Sequence, residues 1–203
     1  MRTISGLFDT RDHADNAVRS LKDAGIPADD ISIVANNVDG SYATDGDDVA
    51  ADAGTGAGIG AAVGGAGGLL TGLGLLAIPG IGPVVAGGWL LSTVVGAAAG
   101  AVVGGATGGL IGALTEAGVD ERDAHVYAEG VRRGSILVTA RVDDSRADAA
   151  QAILNSDSGI NLETRRREYE ASGWEAFDET AEPYEADRIR DYRAGIVPPV
   201  LRS

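Results

Sequence analysis

The sequence contains no cysteine, which excludes disulfide bonds, thiol chemistry and cysteine–metal sites. Aromatic residues are scarce, with two Phe, two Trp and five Tyr among 203 residues. No Asp, Glu, Lys, Arg or His lies between Asp52 and Glu116. A stretch without charge has to find its partners through apolar contact rather than through ion pairs.

The charge that the chain does carry is strongly negative. The formal net charge is −14, and each flank of the uncharged stretch holds half of it. Two acidic flanks argue against binding to nucleic acid, which requires basic patches, and against electrostatic attraction to anionic lipid. The first residues, Met1 to Ser5, lack the apolar run of a signal peptide, so we expect a protein that is not secreted.

Glycines recur at every fourth position of the uncharged stretch. Glycine costs roughly 1 kcal/mol relative to alanine inside a helix, so a glycine ladder in a helix indicates close contact between helix backbones. We therefore predict helix packing through two ladders, which comprise Gly56, Gly60, Gly64, Gly68 and Gly72, and Gly96, Gly100, Gly104, Gly108 and Gly112.

The ladders predict a helical hairpin. One helix is expected over residues 55–78 and a second one up to residue 115, joined by a turn at Pro79, Gly80, Gly82 and Pro83. Helices of 21–24 residues span roughly 31–36 Å, which is enough for a bilayer core of about 30 Å. A hairpin returns the chain to the side from which it started.

The two flanks predict halves of one α+β domain. Residues 1–36 have the pattern strand, helix, strand, and residues 120–165 have the pattern helix, strand, helix and a weak final strand at residues 159–162. Because neither half forms a stable sheet alone, we predict a ferredoxin-like split βαβ…βαβ sandwich interrupted by the glycine-zipper helical hairpin. The expected segments are 1–38 (first half-domain), 39–53 (acidic linker), 54–118 (hairpin), 119–165 (second half-domain) and 166–203 (charged, partly disordered tail).

No motif predicts a reaction. Residues 72–77 match GxGxxA, but no strand precedes them and no acidic ribose partner follows, so we expect no dinucleotide cofactor. The acidic run at residues 39–52 lacks calcium-loop spacing and is read as a solvated linker, with weak divalent-ion binding as the alternative. His13, His125 and the basic run at residues 165–167 are interpreted as surface groups. We expect no catalytic residues, no cofactor, no metal and no identifiable small-molecule substrate.

Large aromatic side chains reappear in the acidic tail. Trp174, Phe177 and Tyr184 lie close together in the sequence, and such side chains usually pack against a surface. They either pack on the parent domain or contact a partner protein.

Two stretches carry a family resemblance. The first begins with Phe8-Asp9-Thr10 and continues through the helical pattern and the strand that follow it. The second runs from Tyr127 to Gly134 and leads into Leu137-Val138-Thr139. Both are similar to the bacterial heat-induced or general stress protein family, the YflT-like domain. Residues 78–88 resemble the turn of its glycine-zipper members. The resemblance covers about residues 1–165 and implies stress-associated expression and a membrane or envelope link. It supplies no catalytic residues.

We therefore expect a non-enzymatic, stress-associated protein that is anchored to or associated with a membrane through a self-associating hairpin. Its location would be the bacterial inner membrane, with the α+β domain in the cytoplasm. Its partners would be membrane lipid and copies of itself. The alternative is a cytoplasmic, soluble homo-oligomeric scaffold in which the hairpins are buried between subunits.

Overall fold

A computed structural model describes residues 1–42, 74–94, 109–156 and 159–195. Over these residues the protein has a mixed α/β fold with a five-stranded antiparallel sheet. The strands are β1 (Arg2–Phe8), β2 (Ile31–Asn36), β3 (Gly74–Ile78), β4 (Gly82–Gly87) and β5 (Ile136–Val142). The helices are α1 (Arg11–Asp23), α2 (Gly109–Glu116), α3 (Glu121–Arg132), α4 (Asp144–Leu154), α5 (Leu162–Ala171) and α6 (Ala186–Arg193); residues 89–94 are also helical.

The order of strands across the sheet is β1-β5-β2-β4-β3, and all neighbours are antiparallel. Strand β5 pairs with β1 on one side and with β2 on the other, so β1 and β2 run parallel to each other with β5 between them. Helix α1 makes the connection between β1 and β2. The two flanks of the sequence therefore form one sheet, as predicted.

Helices cover both faces of this sheet. Helices α1 and α4 pack on one face against a core that includes Phe8, Ile33 and Val138. Helices α2 and α3 and residues 89–94 pack on the other face, against a core that includes Leu7 and Leu137. Side chains alternate between the two faces of a strand, and helices cover both faces of this sheet. Neighbouring residues of the central strand β5 are therefore both buried.

Local sequence signals explain several of the helix boundaries. Thr10, Asp120 and Asn161 cap α1, α3 and α5, because each side-chain oxygen accepts a hydrogen bond from a backbone N–H of the first helical turn. Gly25, with φ of 81°, follows the end of α1, as the sequence predicted.

The centre of the predicted helical hairpin is a β-hairpin instead. Strands β3 and β4 occupy residues that were expected to be helical, and β4 pairs with the edge of β2. An unpaired edge of β2 would leave backbone N–H and C=O groups without partners, and β4 satisfies them. The prediction failed because Val84 and Val85 face opposite, covered faces of the sheet, so this strand shows an apolar run without alternation.

Two further predictions are corrected on the other side of the molecule. The weak final strand at residues 159–162 is not formed: the Ile160 N–H donates one hydrogen bond to the Leu7 carbonyl at 2.9 Å, and α5 begins at Leu162. The boundary expected at residue 165 falls inside α5, and the tail as far as Gly195 folds onto the domain.

Candidate functional site

The predicted helix-packing glycines lie mostly outside the described residues. Gly112 is the described member of the ladders, and it lies half-buried in α2. The segments that contain the others join the described chain at residues 42, 74, 94 and 109, and two of these positions, 74 and 109, lie beside β3. A Cβ atom on Gly74 would lie 3.5 Å from Leu91 Cδ2, and one on Gly109 would lie 3.8 Å from Ile78 Cγ2. Residues 74, 91 and 109 are thus all placed at the outermost strand of the sheet.

The predicted turn residues do form a turn, but one that joins two strands. The Ile81 N–H donates to the Ile78 carbonyl at 3.1 Å, and Gly80 and Gly82 adopt φ angles of 74° and 93°. Both values lie in the left-handed region that favours glycine. Pro79 and Pro83 flank the two glycines and are exposed.

The tail covers this turn. A Cβ on Gly80 would lie 2.6 Å from the Asp178 carbonyl oxygen, and a Cβ on Gly82 would lie 2.9 Å from Pro183 Cβ. The glycines at the turn are therefore in contact with the tail of the same chain, a neighbour that the sequence pattern did not indicate.

The three tail aromatics contact the domain itself. Phe177 is 6 % exposed and belongs to the core on the second face of the sheet, and its N–H donates to His125 Nδ1 at 3.2 Å. Trp174 is half-buried, with its ring edge-on to Tyr169 at 5.6 Å. The environment of Phe177 favours packing on the parent domain over recruitment of a partner.

Tyr184 completes the contact between tail and domain. Two guanidinium groups lie over its ring, that of Arg188 at 3.9 Å and that of Arg132 at 4.4 Å from the ring centroid, and Tyr192 stacks on the ring with a centroid distance of 5.8 Å. The Arg132 guanidinium also donates to the Glu182 carbonyl at 2.8 Å. Aromatic and cationic side chains thus alternate along this surface.

Buried charge lies next to these contacts. Glu129 in α3 is fully buried and accepts a hydrogen bond from Arg133 Nε at 2.6 Å. In the predicted basic surface run, Arg166 is 3 % exposed and pairs with Asp123 and Glu163, so it is a buried group rather than a solvated one. The sequence did not distinguish Arg166 from its neighbours, because burial depends on how α5 packs against α3.

A cavity of about 440 Å³ lies at the free edge of β1, and sequence reasoning missed it. It is open to solvent on one side and is bordered by residues 3–5 of β1, the beginning of α3, the end of α4 and the chain that leads into α5. Tyr127 crosses between these walls and donates a hydrogen bond from its hydroxyl to the Ser5 carbonyl at 3.0 Å. Burial, together with the negative charge of Asp123, raises the pKa of Tyr127 well above its ordinary value.

Comparison with known proteins finds no matching family model, no matching curated protein and no matching solved structure. Within the described ranges, no group of three or more His, Cys, Asp or Glu side chains is arranged to hold a metal ion. Among the helices in those same ranges, none combines the length and apolar character needed to cross a membrane.

Proposed function

We propose that this chain is a non-enzymatic, stress-associated protein whose acidic α/β domain is held at a membrane by its glycine-rich, uncharged segments. The domain would face the cytoplasm at a bacterial inner membrane. The stress association rests on the family resemblance of the two flanks. The membrane association rests on the absence of charge between Asp52 and Glu116 and on the net charge of −14, which leaves apolar burial as the attractive force.

The observation that supports this proposal best is where the segments join the domain. Residues 74 and 109 flank β3, the outermost strand, and Leu75 on that strand is 54 % exposed. Two of the four positions at which the chain enters or leaves the glycine-rich segments thus lie at the β3 edge, and this edge can rest on an apolar phase while the charged surface stays in water.

The β-hairpin changes the form that this association takes. Since β3, β4 and residues 89–94 belong to the sheet domain, the uncharged stretch is divided. Residues 95–108 alone are fewer than the roughly 20 residues that a spanning helix requires. We therefore propose association with the membrane rather than a hairpin that spans it.

We interpret the domain as a ferredoxin-like sandwich with two changes. The order β1-β5-β2, with α1 and α4 on one face, is the arrangement of a split βαβ unit. Its fourth strand would be reduced to the single Ile160–Leu7 hydrogen bond, and the β3–β4 hairpin would extend the opposite edge.

A homo-oligomeric scaffold is the second candidate. Glycine at every fourth position favours close helix–helix contact, and β3 is an edge strand with an exposed leucine. In this case the glycine ladders would pack against copies of themselves.

Flotation with phosphatidylcholine vesicles separates the two candidates. The full chain is expected to float, whereas a variant with Gly/Ser linkers of equal length in place of residues 54–73 and 95–108 should stay at the bottom with unchanged circular dichroism of its sheet. A full chain that stays at the bottom and forms a defined oligomer by light scattering would favour the scaffold. In that outcome, Gly64→Leu combined with Gly104→Leu should dissociate the oligomer.

A further inference from the structure

The outer edge of β3 is a strand edge without the usual protection. β3 is the last strand of the sheet that the described residues form, and β4 pairs with one of its two sides. Strand edges in natural proteins are usually protected by charged side chains, proline or a bulge. The sequence of β3 is Gly-Leu-Leu-Ala-Ile, without charge or proline, and its register with β4 is continuous. The strand therefore lacks the features that oppose pairing with a further strand.

The proline in β4 determines which backbone groups point to this edge. Opposite residues of an antiparallel pair alternate between hydrogen-bonded and non-hydrogen-bonded pairs. Pro83 has no N–H, and its carbonyl accepts a hydrogen bond from the Asn37 N–H at 2.9 Å, on the side away from β3. Its partner Ala77 is therefore in a non-hydrogen-bonded pair, as is Leu75 two residues earlier. The N–H and C=O groups of Ala77 and Leu75 consequently point away from β4, to the outer edge.

The side chains at this edge divide between the two faces of the sheet. Leu75 is 54 % exposed and Ala77 is also exposed, and both lie on the same face as Val85, the cross-strand partner of Leu75. Leu76 lies on the other face, half-buried against the second core. The exposed face of the edge thus offers one large and one small apolar side chain, two residues apart.

This edge is complementary to itself. When two β3 strands pair antiparallel about a two-fold axis at Leu76, Leu75 of each copy lies opposite Ala77 of the other. Because these residues carry the outward N–H and C=O groups, each such pair exchanges both of its N–H···O bonds. The large leucine side chain covers the small alanine, and the two Leu76 side chains meet at the axis. This register uses every residue of the strand.

Charge also favours a second copy as the occupant of the edge. The net charge of the chain is −14, so the charged surfaces of two copies repel each other. No charged residue lies between Asp52 and Glu116, so neither β3 nor its turn brings charge to the contact. A basic partner would find no carboxylate in this strand, whereas a second copy meets an uncharged strand of matching shape.

We propose that the β3 edge is a self-association surface, at which two copies of the chain form one antiparallel sheet with five strands from each copy. The contact is small, so the dissociation constant is expected to be about micromolar or higher. The contact involves none of the ladder glycines and forms in water. It therefore goes beyond the proposed membrane association and does not depend on it.

Disulfide crosslinking tests the register, because the chain has no cysteine of its own. Cα atoms of a non-hydrogen-bonded antiparallel pair lie about 4.5 Å apart, which a disulfide can bridge. Leu76→Cys should therefore form a covalent dimer in a glutathione redox buffer without lipid. Leu75 meets its own copy only diagonally, at about 7–8 Å. The dimer fraction of Leu75→Cys should be lower by about tenfold, although Leu75 is the more exposed residue.

A matched control places the thiol away from the edge. Ala149 is exposed on α4, which packs against β1 and β5 at the other side of the sheet. Ala149→Cys should crosslink no more than Leu75→Cys does. Equal dimer fractions in Leu76→Cys and Ala149→Cys would indicate random collision and would overturn the proposal. A larger fraction in Leu75→Cys than in Leu76→Cys would overturn it as well.

Sedimentation equilibrium of cysteine-free chains tests the contact without a thiol. The parent chain should show a concentration-dependent dimer. Ala77→Lys places a charge opposite Leu75 of the other copy and should raise the dissociation constant about tenfold or more. Ala149→Lys changes the net charge equally and should not raise it. Because Ala77 is exposed, the circular dichroism of the sheet should be unchanged in Ala77→Lys.

Two sedimentation results would overturn the proposal. A parent chain that stays monomeric at its highest soluble concentration would leave the edge to lipid or to a strand of another protein. An oligomer that Ala77→Lys leaves intact, and that Gly64→Leu with Gly104→Leu dissociates, would place the contact in the glycine ladders. Both measurements are made without vesicles, so their failure is distinct from a failure of the chain to float with lipid.

Discussion

Replacing Arg193 by alanine should release the end of the tail from the domain. Arg193 is the last residue of α6, and its guanidinium donates to four groups: the Gly134 carbonyl at 3.1 Å, the Asn36 carbonyl at 2.8 Å, Ser41 Oγ at 2.9 Å and the Asp39 carboxylate. One side chain thus joins the tail to the end of β2, to the turn before β5 and to residues 39–41.

The magnitude follows from these bonds and from what their loss leaves behind. A hydrogen bond from a charged donor contributes about 1.5–3 kcal/mol, and several bonds made by one side chain give less than their sum. Asp39, at 3 % side-chain exposure, would keep a buried carboxylate without its partner. We expect Arg193→Ala to lower the free energy of unfolding by about 3 kcal/mol, or the melting temperature by about 6–12 °C.

Urea unfolding monitored by circular dichroism measures this loss, and the same helix offers a control. Arg190 is 63 % exposed and pairs with Asp187, which is 86 % exposed, so Arg190→Ala should cost less than about 0.5 kcal/mol. Adding Asp39→Asn to Arg193→Ala should recover about 1 kcal/mol, because it removes the unpaired buried charge. Equal losses for the two arginine variants would refute the assignment of Arg193 as the anchor.

Three other substitutions test separate contacts, each by the free energy of unfolding in urea. Gly88→Ala should cost more than about 2 kcal/mol, since a Cβ there would lie 2.1 Å from a carbonyl oxygen of β2. Gly40 also has a positive φ but has open space around it, so Gly40→Ala should cost about 1 kcal/mol. Equal costs would contradict the close approach of Gly88 to β2. Phe177→Ala should cost about 3–4 kcal/mol and Trp174→Ala clearly less, because Phe177 is buried whereas Trp174 is only half-buried. The reverse order would contradict the packing of the tail. Burial raises the pKa of Tyr169 from 10.0 to about 12, so the folded state retains this proton to a higher pH than the unfolded state does. The free energy of unfolding therefore falls as the pH rises from 10 towards 12. Tyr169→Phe should make this fall shallower, and an unchanged slope would contradict the assignment.

Periodicity in the sequence predicted the elements whose apolar residues follow one clear pattern. Helix α1 was expected from the spacing of Ala14, Val18 and Leu21, all of which are buried, and its end was marked by Gly25. Strand β5 was expected from its alternation. In α1 the residues that form the helix also determine which of its faces is buried, so little tertiary information was needed. In β5 the alternation predicted the strand but not the burial of both its faces, which include the fully buried Thr139.

The β3–β4 hairpin shows where that reasoning ended. A run of Gly, Ala, Leu and Val without charge is compatible with a buried helix and with a strand covered on both faces. The choice was decided by the free edge of β2, with which residues 84–87 pair. That edge belongs to a sheet in which β5 pairs with the other side of β2, an arrangement that no local sequence window contains.

The cavity and the tail had even weaker signals. Ser5, Asp120 and Tyr127 are far apart in the sequence, and each residue type is common on a protein surface. The tail is rich in charge, a composition typical of solvated chain, yet Phe177 and Ile189 are buried. Their burial follows from surfaces that the folded domain presents, and composition does not report those surfaces.

By itself, the sequence determined the division of this protein into charged flanks and an uncharged glycine-rich centre. It also determined the main helices and strands of the flanks, because charge and periodicity are properties of the chain alone. The tertiary structure decided which apolar run became a strand, where the tail packs and which polar groups meet around the cavity. Those outcomes depend on edges and surfaces that exist only once distant segments have paired.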